Sequence, residues 1–102
     1  PVEASRRALA RAGMAIGDVD LVEINEAFAA QVIPCYRDLG VDLDRLNVHG
    51  GAIALGHPFG MTGARITATL LNGLQFRDRT IGLETMCVGG GQGMAMVLER
   101  LS

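Results

Sequence analysis

Lysine and tryptophan are absent from this chain of 102 residues, and all nine of its basic residues are arginines. The net charge is −2 and the arginines form no stripe. Nucleic acid is therefore not expected as a partner, because it binds to clustered positive charge. No apolar run approaches the ~18 residues of a membrane span, and no signal-peptide pattern opens the chain. We expect no membrane partner either.

Cysteine is also scarce. Cys35 and Cys87 lie 52 positions apart, and neither belongs to a CxxC pair or to a cluster of Cys and His residues. Zinc sites and disulfide frameworks need such spacings, so we expect no metal and no disulfide. A reducing, cytoplasmic compartment is the corresponding prediction for localisation.

Formal charge is nearly missing from one long segment, residues 46–76, where Arg65 is the only charged side chain. The helical part of this segment has apolar or small residues on every side, which is typical of a buried helix. A chain of about a hundred residues can hardly bury a helix on both sides. Because the chain also begins with Pro1 rather than methionine, we expect residues 1–102 to be one domain of a longer protein.

The pattern of apolar residues, glycine and proline predicts an α/β domain with a mixed sheet. The predicted elements are a helix over 2–12, a strand over 18–24, a helix from Asn25 to Gly40, a short turn over 41–46, a helix over 62–76 and strands over 80–88 and 93–101. Pro34 should kink the second helix. The residues GGGQ between the last two strands suit a tight hairpin.

Glycine, by contrast, is abundant, and nine of the 14 glycines fall in residues 50–63 and 89–93. His57 lies in the first stretch and Cys87 adjoins the second. Glycine-rich turns expose backbone N–H groups that attract oxyanions, so the pattern indicates donors around two acid/base groups. A phosphate loop is the competing interpretation. However, His57 and Pro58 stand where a P-loop needs Lys and Ser or Thr, and neither stretch contains G-x-G-x-x-G.

Each candidate side chain also has a purely structural interpretation. His57, whose backbone is biased away from the helical region by Pro58, could be a hydrogen-bonded core histidine. Cys87 could be a small buried hydrophobe. Asn25 could cap a helix, or its amide could hold a water or a carbonyl group. Glu26 could complement a helix dipole or orient a neighbouring side chain.

Three motifs resemble, in order and spacing, the C-terminal domain of thiolases, the enzymes of acyl-CoA Claisen chemistry. They are VEINEAFAAQ, NVHGGAIALGHPFGMTGARI and ETMCVGGGQGMAMVLER, and the resemblance extends from Pro1 to Arg100. Asn25 and His57 are 32 positions apart, and His57 and Cys87 are 30 positions apart. The resemblance implies a thiolase-like α/β fold with a mixed sheet, a buried helix between two sheets and a C-terminal β-hairpin.

The resemblance also implies roles for individual residues. In thiolases the N-terminal half supplies a nucleophilic cysteine that is acylated by 3-ketoacyl-CoA or acetyl-CoA. His57 would take the proton of that cysteine and, with a water held by Asn25, would stabilise the thioester enolate. Cys87 would move the α-proton of acetyl-CoA, and the N–H of Gly89 would donate to the oxyanion of the acyl-enzyme.

Phe28 and Ala27 of the NEAF motif would line the acyl and pantetheine channel. Coenzyme A would be a substrate, with no separate cofactor, and the complete protein would be a homodimer or tetramer. The chain alone should be inactive without the N-terminal thiolase half, because Cys35 follows a proline on the NEAF helix and is not in the nucleophile's context. Phe59 and Met61 replace aliphatic and small residues common in the family, which bears on packing or acyl preference.

Two other functions stay open at this point. The chain could be a non-catalytic, thiolase-like carrier of acyl groups or sterols, or an independent structural or interaction domain. The joint presence of Asn25, His57 and Cys87 argues against the carrier, and the behaviour of the isolated 102 residues in solution would test the independent domain.

Overall fold

The computed structural model describes residues 1–89 and 91–101. Its helices are α1 (Val2–Ala12), α2 (Ala29–Leu39), α3 (Ala52–Leu55) and α4 (Phe59–Phe76), and its strands are β1 (Leu21–Ile24), β2 (Ile81–Val88) and β3 (Gln92–Glu99). Single 3-10 turns lie at Ile16–Asp18 and Leu43–Arg45. The second of these turns falls inside the short turn predicted over 41–46.

The three strands form one mixed sheet in the order β1-β2-β3. β1 pairs in parallel with β2, which places Glu23 beside Glu84. β2 pairs antiparallel with β3, which places Cys87 beside Gly93. The predicted mixed sheet and C-terminal hairpin are therefore confirmed. Gly90, in the predicted hairpin turn, lies outside the described residues.

Apolar side chains hold helices against both faces of the sheet. On one face, Val22 and Leu83 belong to a core that includes residues of α1 and α2. On the other face, Leu21 packs with Leu70 and Leu74 of α4. Side chains alternate between the faces along a strand, which explains why neighbouring residues of β1 serve different cores. Each fully buried aliphatic side chain contributes about 1.5–3 kcal/mol.

Within the described part of the chain, only one side of α4 is covered. Ile66, Leu70 and Leu74 are at most 2% exposed, whereas Met61 and Leu71 are 38% and 39% exposed. The helix is thus buried along its inner side, and cover for its outer side stays a prediction. Among the described residues no helix is both long and apolar enough to cross a membrane.

Two element boundaries differ from the predictions for local reasons. β1 begins at Leu21 rather than at residue 18, because residues 16–18 form a 3-10 turn in which Asp18 accepts a hydrogen bond from the N–H of Ala15 at 2.9 Å. α4 begins at Phe59, directly after Pro58, rather than at residue 62. The fixed φ of proline suits a helix start.

The C-termini of α1 and α2 follow the sequence more closely. Gly13 and Gly40 have φ values of 69° and 74° and end the two helices as predicted. This left-handed conformation is one that glycine adopts at little cost. Pro34 lies inside α2, which continues through it to Leu39.

Candidate active site

Asn25 directly follows the carboxyl end of β1, four residues before the start of α2. Its backbone N–H donates to the carbonyl of Thr85 at 3.0 Å, so β2 fixes its position. α2 begins only at Ala29, with Phe28 as the N-cap residue, and the interpretation of Asn25 as a helix cap is therefore wrong. Its side chain is buried instead beside His57, and Asn25 Nδ2 lies 3.4 Å from His57 Nε2.

Thr62 holds the other ring nitrogen of His57. The Nδ1 atom lies 2.5 Å from Thr62 Oγ1, and the fully buried Thr62 hydroxyl donates to the carbonyl of Pro58 at 3.2 Å. We assign the proton of the neutral imidazole to Nδ1 on this pairing: with the hydroxyl proton donated to Pro58, Oγ1 is free to accept a hydrogen bond from Nδ1–H. Nε2 then presents its lone pair towards Asn25. His57 is arranged to accept a proton at Nε2.

A cleft of about 580 Å³ adjoins the imidazole. Its walls come from the NEAF segment, the start of α4 and the β2-β3 hairpin, and they consist of Ala27, Phe28, His57, Phe59, Met86, Cys87, Val88, Gly89 and Gly91. The rings of His57 and Phe59 meet edge to face with centroids 5.0 Å apart. Five of the six predicted site residues therefore line one cleft. The sixth, Asn25, contacts the ring of His57.

Cys87 and Gly89 form the hairpin side of this cleft. Cys87 is the penultimate residue of β2, is a free thiol and is half-buried. Gly89 has a φ of 57°, a left-handed conformation that glycine adopts readily. Donation of backbone N–H groups from this turn to an oxyanion stays a prediction of the glycine pattern. Cys35, in contrast, is buried in the core between α1, α2 and the sheet.

Two buried carboxylates, Glu23 and Glu84, lie on the side of the sheet that faces α4. Arg65 Nη1 is 3.7 Å from Glu23 Oε1, and the Thr67 hydroxyl donates to Glu84 Oε1 at 2.8 Å. Burial raises the pKa of Glu23 to about 7, although Arg65 lowers it. Burial also raises the pKa of Glu84, against the hydrogen bond from Thr67. Glu23 therefore exchanges protons near neutral pH, two residues before Asn25.

Sequence reasoning missed two side chains around the site, Thr62 and Asn47. Thr62 stands four residues after Pro58, a helical spacing that offered a signal for its hydrogen bond to the Pro58 carbonyl but not for its contact with the imidazole of His57. Asn47 precedes the first glycine stretch, and only its tertiary contacts reveal it. Within the described ranges, no group of three or more His, Cys, Asp or Glu residues could hold a metal ion.

Comparisons with known proteins agree with the three motifs. Residues 1–100 match the family described as "Thiolase, C-terminal domain". The whole chain is 58% identical, over 102 residues, to 26% of an acetyl-CoA acetyltransferase from Escherichia coli (strain K12). It is 57% identical to 3-ketoacyl-CoA thiolases from Shewanella sp. (strain ANA-3) and Shewanella frigidimarina, with 99% of the chain aligned to 27% of each. The chain thus spans about a quarter of the length of these relatives.

Proposed function

Since this chain belongs to the thiolase family as a C-terminal domain, we propose that it is the C-terminal catalytic part of a longer acyltransferase. The complete enzyme cleaves a 3-ketoacyl-CoA with CoA, or condenses acetyl-CoA with an acyl-CoA in the reverse direction. The observation that carries this proposal is the single cleft shared by His57, Cys87 and Gly89, with Asn25 against the imidazole.

His57 acts first as a base in this proposal. Its Nε2 lone pair takes the proton of a nucleophilic cysteine in the N-terminal half, and the thiolate then attacks the 3-keto carbon of the substrate. The bond between the 2- and 3-carbons breaks, and its electron pair passes to the enolate of acetyl-CoA. The imidazolium, with a water held by the Asn25 amide, stabilises the enolate oxygen. The 3.4 Å contact between Asn25 and His57 supports this pairing.

Cys87 supplies the second proton transfer. Its thiol gives a proton to the α-carbon of the enolate during cleavage, and its thiolate removes that proton during condensation. The N–H of Gly89 donates to the oxyanion that forms when CoA attacks the acyl-enzyme thioester. Each preorganised donor of this kind is typically worth about 3 kcal/mol in the transition state. The hairpin position of both residues at the cleft supports these roles.

Apolar walls suit the remainder of the substrate. Phe28 and Ala27 line the cleft beside His57, where they would contact the acyl chain or the pantetheine arm. Phe28 is 72% exposed in this chain, so a bound thioester would cover apolar surface on its ring. Coenzyme A enters as a substrate, and the proposed steps need no resident cofactor.

Thiolysis of acetoacetyl-CoA by the full-length polypeptide tests the proposal. We expect consumption of acetoacetyl-CoA that requires CoA and yields acetyl-CoA. The competing function is a non-catalytic carrier of acyl groups or sterols, which Asn25, His57 and Cys87 together disfavour. Tight acyl-CoA binding without turnover would favour the carrier.

The proposal extends to the assembly and its location. The isolated chain is inactive because the nucleophilic cysteine belongs to the N-terminal half. The complete enzyme is a homodimer or tetramer in the cytoplasm. Light scattering of the purified full-length protein would give the oligomeric state, and a monomeric mass with full activity would contradict the assembly part of the proposal.

A further inference from the structure

Asn25 and His57 lie on separate segments of the chain, and a third segment connects them. The side chain of Asn47 lies beside the end of β1, where its Oδ1 accepts the N–H of Ile24 at 2.8 Å and its Nδ2 donates to the carbonyl of Ile24 at 2.9 Å. Its own N–H donates to the carbonyl of Val22 at 2.8 Å. Asn47 therefore forms hydrogen bonds with the backbone groups at the edge of β1, as a neighbouring strand would.

Glu26 continues this connection on the far side of Asn25. Its Oε2 accepts a second hydrogen bond from Asn47 Nδ2 at 3.3 Å, and its Oε1 accepts the N–H of Ile53 at 3.2 Å. A Cβ atom at position 51 would lie 2.5 Å from Glu26 Oε1. The absence of a side chain at Gly51 thus leaves space for the Glu26 carboxylate beside α3. His57 follows the end of α3 by two residues.

The backbone conformation of Asn47 places its side chain against β1. Its φ of 45° lies in the left-handed region, which asparagine tolerates better than most residues. The resulting turn lets the N–H of Gly50 donate to the carbonyl of Asn47 at 2.9 Å. One residue therefore fixes both neighbours of Asn25, directly at Ile24 and through its side-chain contact at Glu26.

We propose that Asn47 and Glu26 are positioning residues that set the separation of the Asn25 amide from His57 Nε2. Neither side chain lines the cleft, so each acts through the segments that it joins. A misplacement of about 1 Å in such a pair can reduce a rate by about a hundredfold. The kinetic part of this inference rests on the proposed thiolase function.

Asn47→Gly in the full-length polypeptide is the decisive variant, because glycine keeps the left-handed backbone and removes only the side chain. We expect kcat for acetoacetyl-CoA thiolysis to fall about 10- to 100-fold with KM changed by less than about threefold. Asn47→Asp should behave similarly, since it cannot donate to Ile24 and it repels Glu26. Leu9→Ala, a core change in α1, should lower the melting temperature and leave kcat below that temperature within about twofold.

A second comparison separates positioning from general destabilisation. In an Asn25→Ala background, Asn47→Gly should reduce kcat by less than about twofold further, because the group that it positions is gone. Equal losses in both backgrounds, or an equal loss in Leu9→Ala, would overturn the inference. If Asn47→Gly does not fold, Glu26→Ala takes its place in the same comparison.

An NMR readout keeps this inference separate from the proposed function. The ¹⁵N shifts of His57 should show the Nδ1–H tautomer in the wild-type protein, and Asn47→Gly should shift the Nε2 resonance. A shifted resonance in a protein without thiolysis activity would support the positioning pair and contradict the proposed function. Normal activity with unchanged His57 resonances in Asn47→Gly would contradict the positioning pair alone.

Discussion

Thr62 decides, at the scale of single residues, which nitrogen of His57 can act as a base. In the assigned tautomer its hydroxyl accepts a hydrogen bond from Nδ1–H and donates its own proton to the carbonyl of Pro58. Without that acceptor, the two neutral tautomers of the imidazole would compete, and Nε2 would carry the proton in part of the population. The reactivity of the candidate base therefore depends on a side chain outside the cleft.

Thr62→Val tests this dependence with little change in volume. We expect kcat for thiolysis to fall about tenfold, which corresponds to one hydrogen bond of about 1.4 kcal/mol. Thr62→Ser should retain most of the activity because it keeps the hydroxyl. Thr69→Val, a matched change on the same helix, should have little effect. An unchanged kcat in Thr62→Val would contradict the tautomer assignment.

Gly51 offers a second residue-scale test, in which the cost comes from contact rather than from backbone strain. Gly51→Ala should destabilise the protein by about 1 kcal/mol, because the new methyl group displaces the Glu26 carboxylate from its hydrogen bonds with Asn47 and Ile53. The same change should cost much less in a Glu26→Ala background. Thermal melting of the single and double variants measures this coupling. Gly17→Ala is the control, since a Cβ there would meet nothing within 4 Å. Additive effects of the two changes would count against the contact.

At the scale of elements, the sequence predicts those features that depend on local chemistry. α1 and its glycine stop, α4 and the β2-β3 hairpin follow from apolar periodicity and from glycine placement. The predicted helix start at Asn25 is wrong because a strand-to-helix junction favours a cap locally, whereas the N–H of Asn25 pairs with Thr85 and α2 begins only at Ala29. The roles of Thr62 and Asn47 arise from tertiary contacts, which periodicity does not encode.

The packing of α4 on the sheet buries the Glu23 carboxyl group, whose protonation then makes the stability of the fold depend on pH. Burial raises the pKa of Glu23 to about 7, so the folded state holds this proton more tightly than the unfolded chain does. The stabilisation is therefore complete below the ordinary glutamate pKa and is lost as the pH rises towards and through 7.

Titration of the Glu23 carboxyl carbon by ¹³C NMR should give a midpoint near 7, and Glu23→Gln should remove this part of the pH dependence of stability. Glu3→Gln, at an exposed site, is the control. A Glu23 midpoint near 4.5 would refute the assignment.

At the scale of the whole molecule, exposed apolar side chains mark surfaces that another part of the complete protein could cover. Met61 and Leu71 lie on the outer side of α4, and Met94 and Met96 are exposed on β3. We propose that the N-terminal half of the complete protein covers the outer side of α4. The 102-residue chain alone should then associate or melt without cooperativity, as analytical ultracentrifugation and thermal melting would reveal. A soluble monomer with a cooperative transition would favour an independent domain.

The central claim is that Asn25, His57 and Cys87 serve acyl transfer in a complete thiolase. Steady-state thiolysis of acetoacetyl-CoA by the full-length polypeptide, compared with its His57→Ala and Cys87→Ala variants, tests it most directly. We predict CoA-dependent formation of acetyl-CoA by the wild-type protein and a loss of at least about a hundredfold in kcat for each variant. A wild-type protein that binds acyl-CoA without turnover, or variants that retain full kcat, would contradict the account.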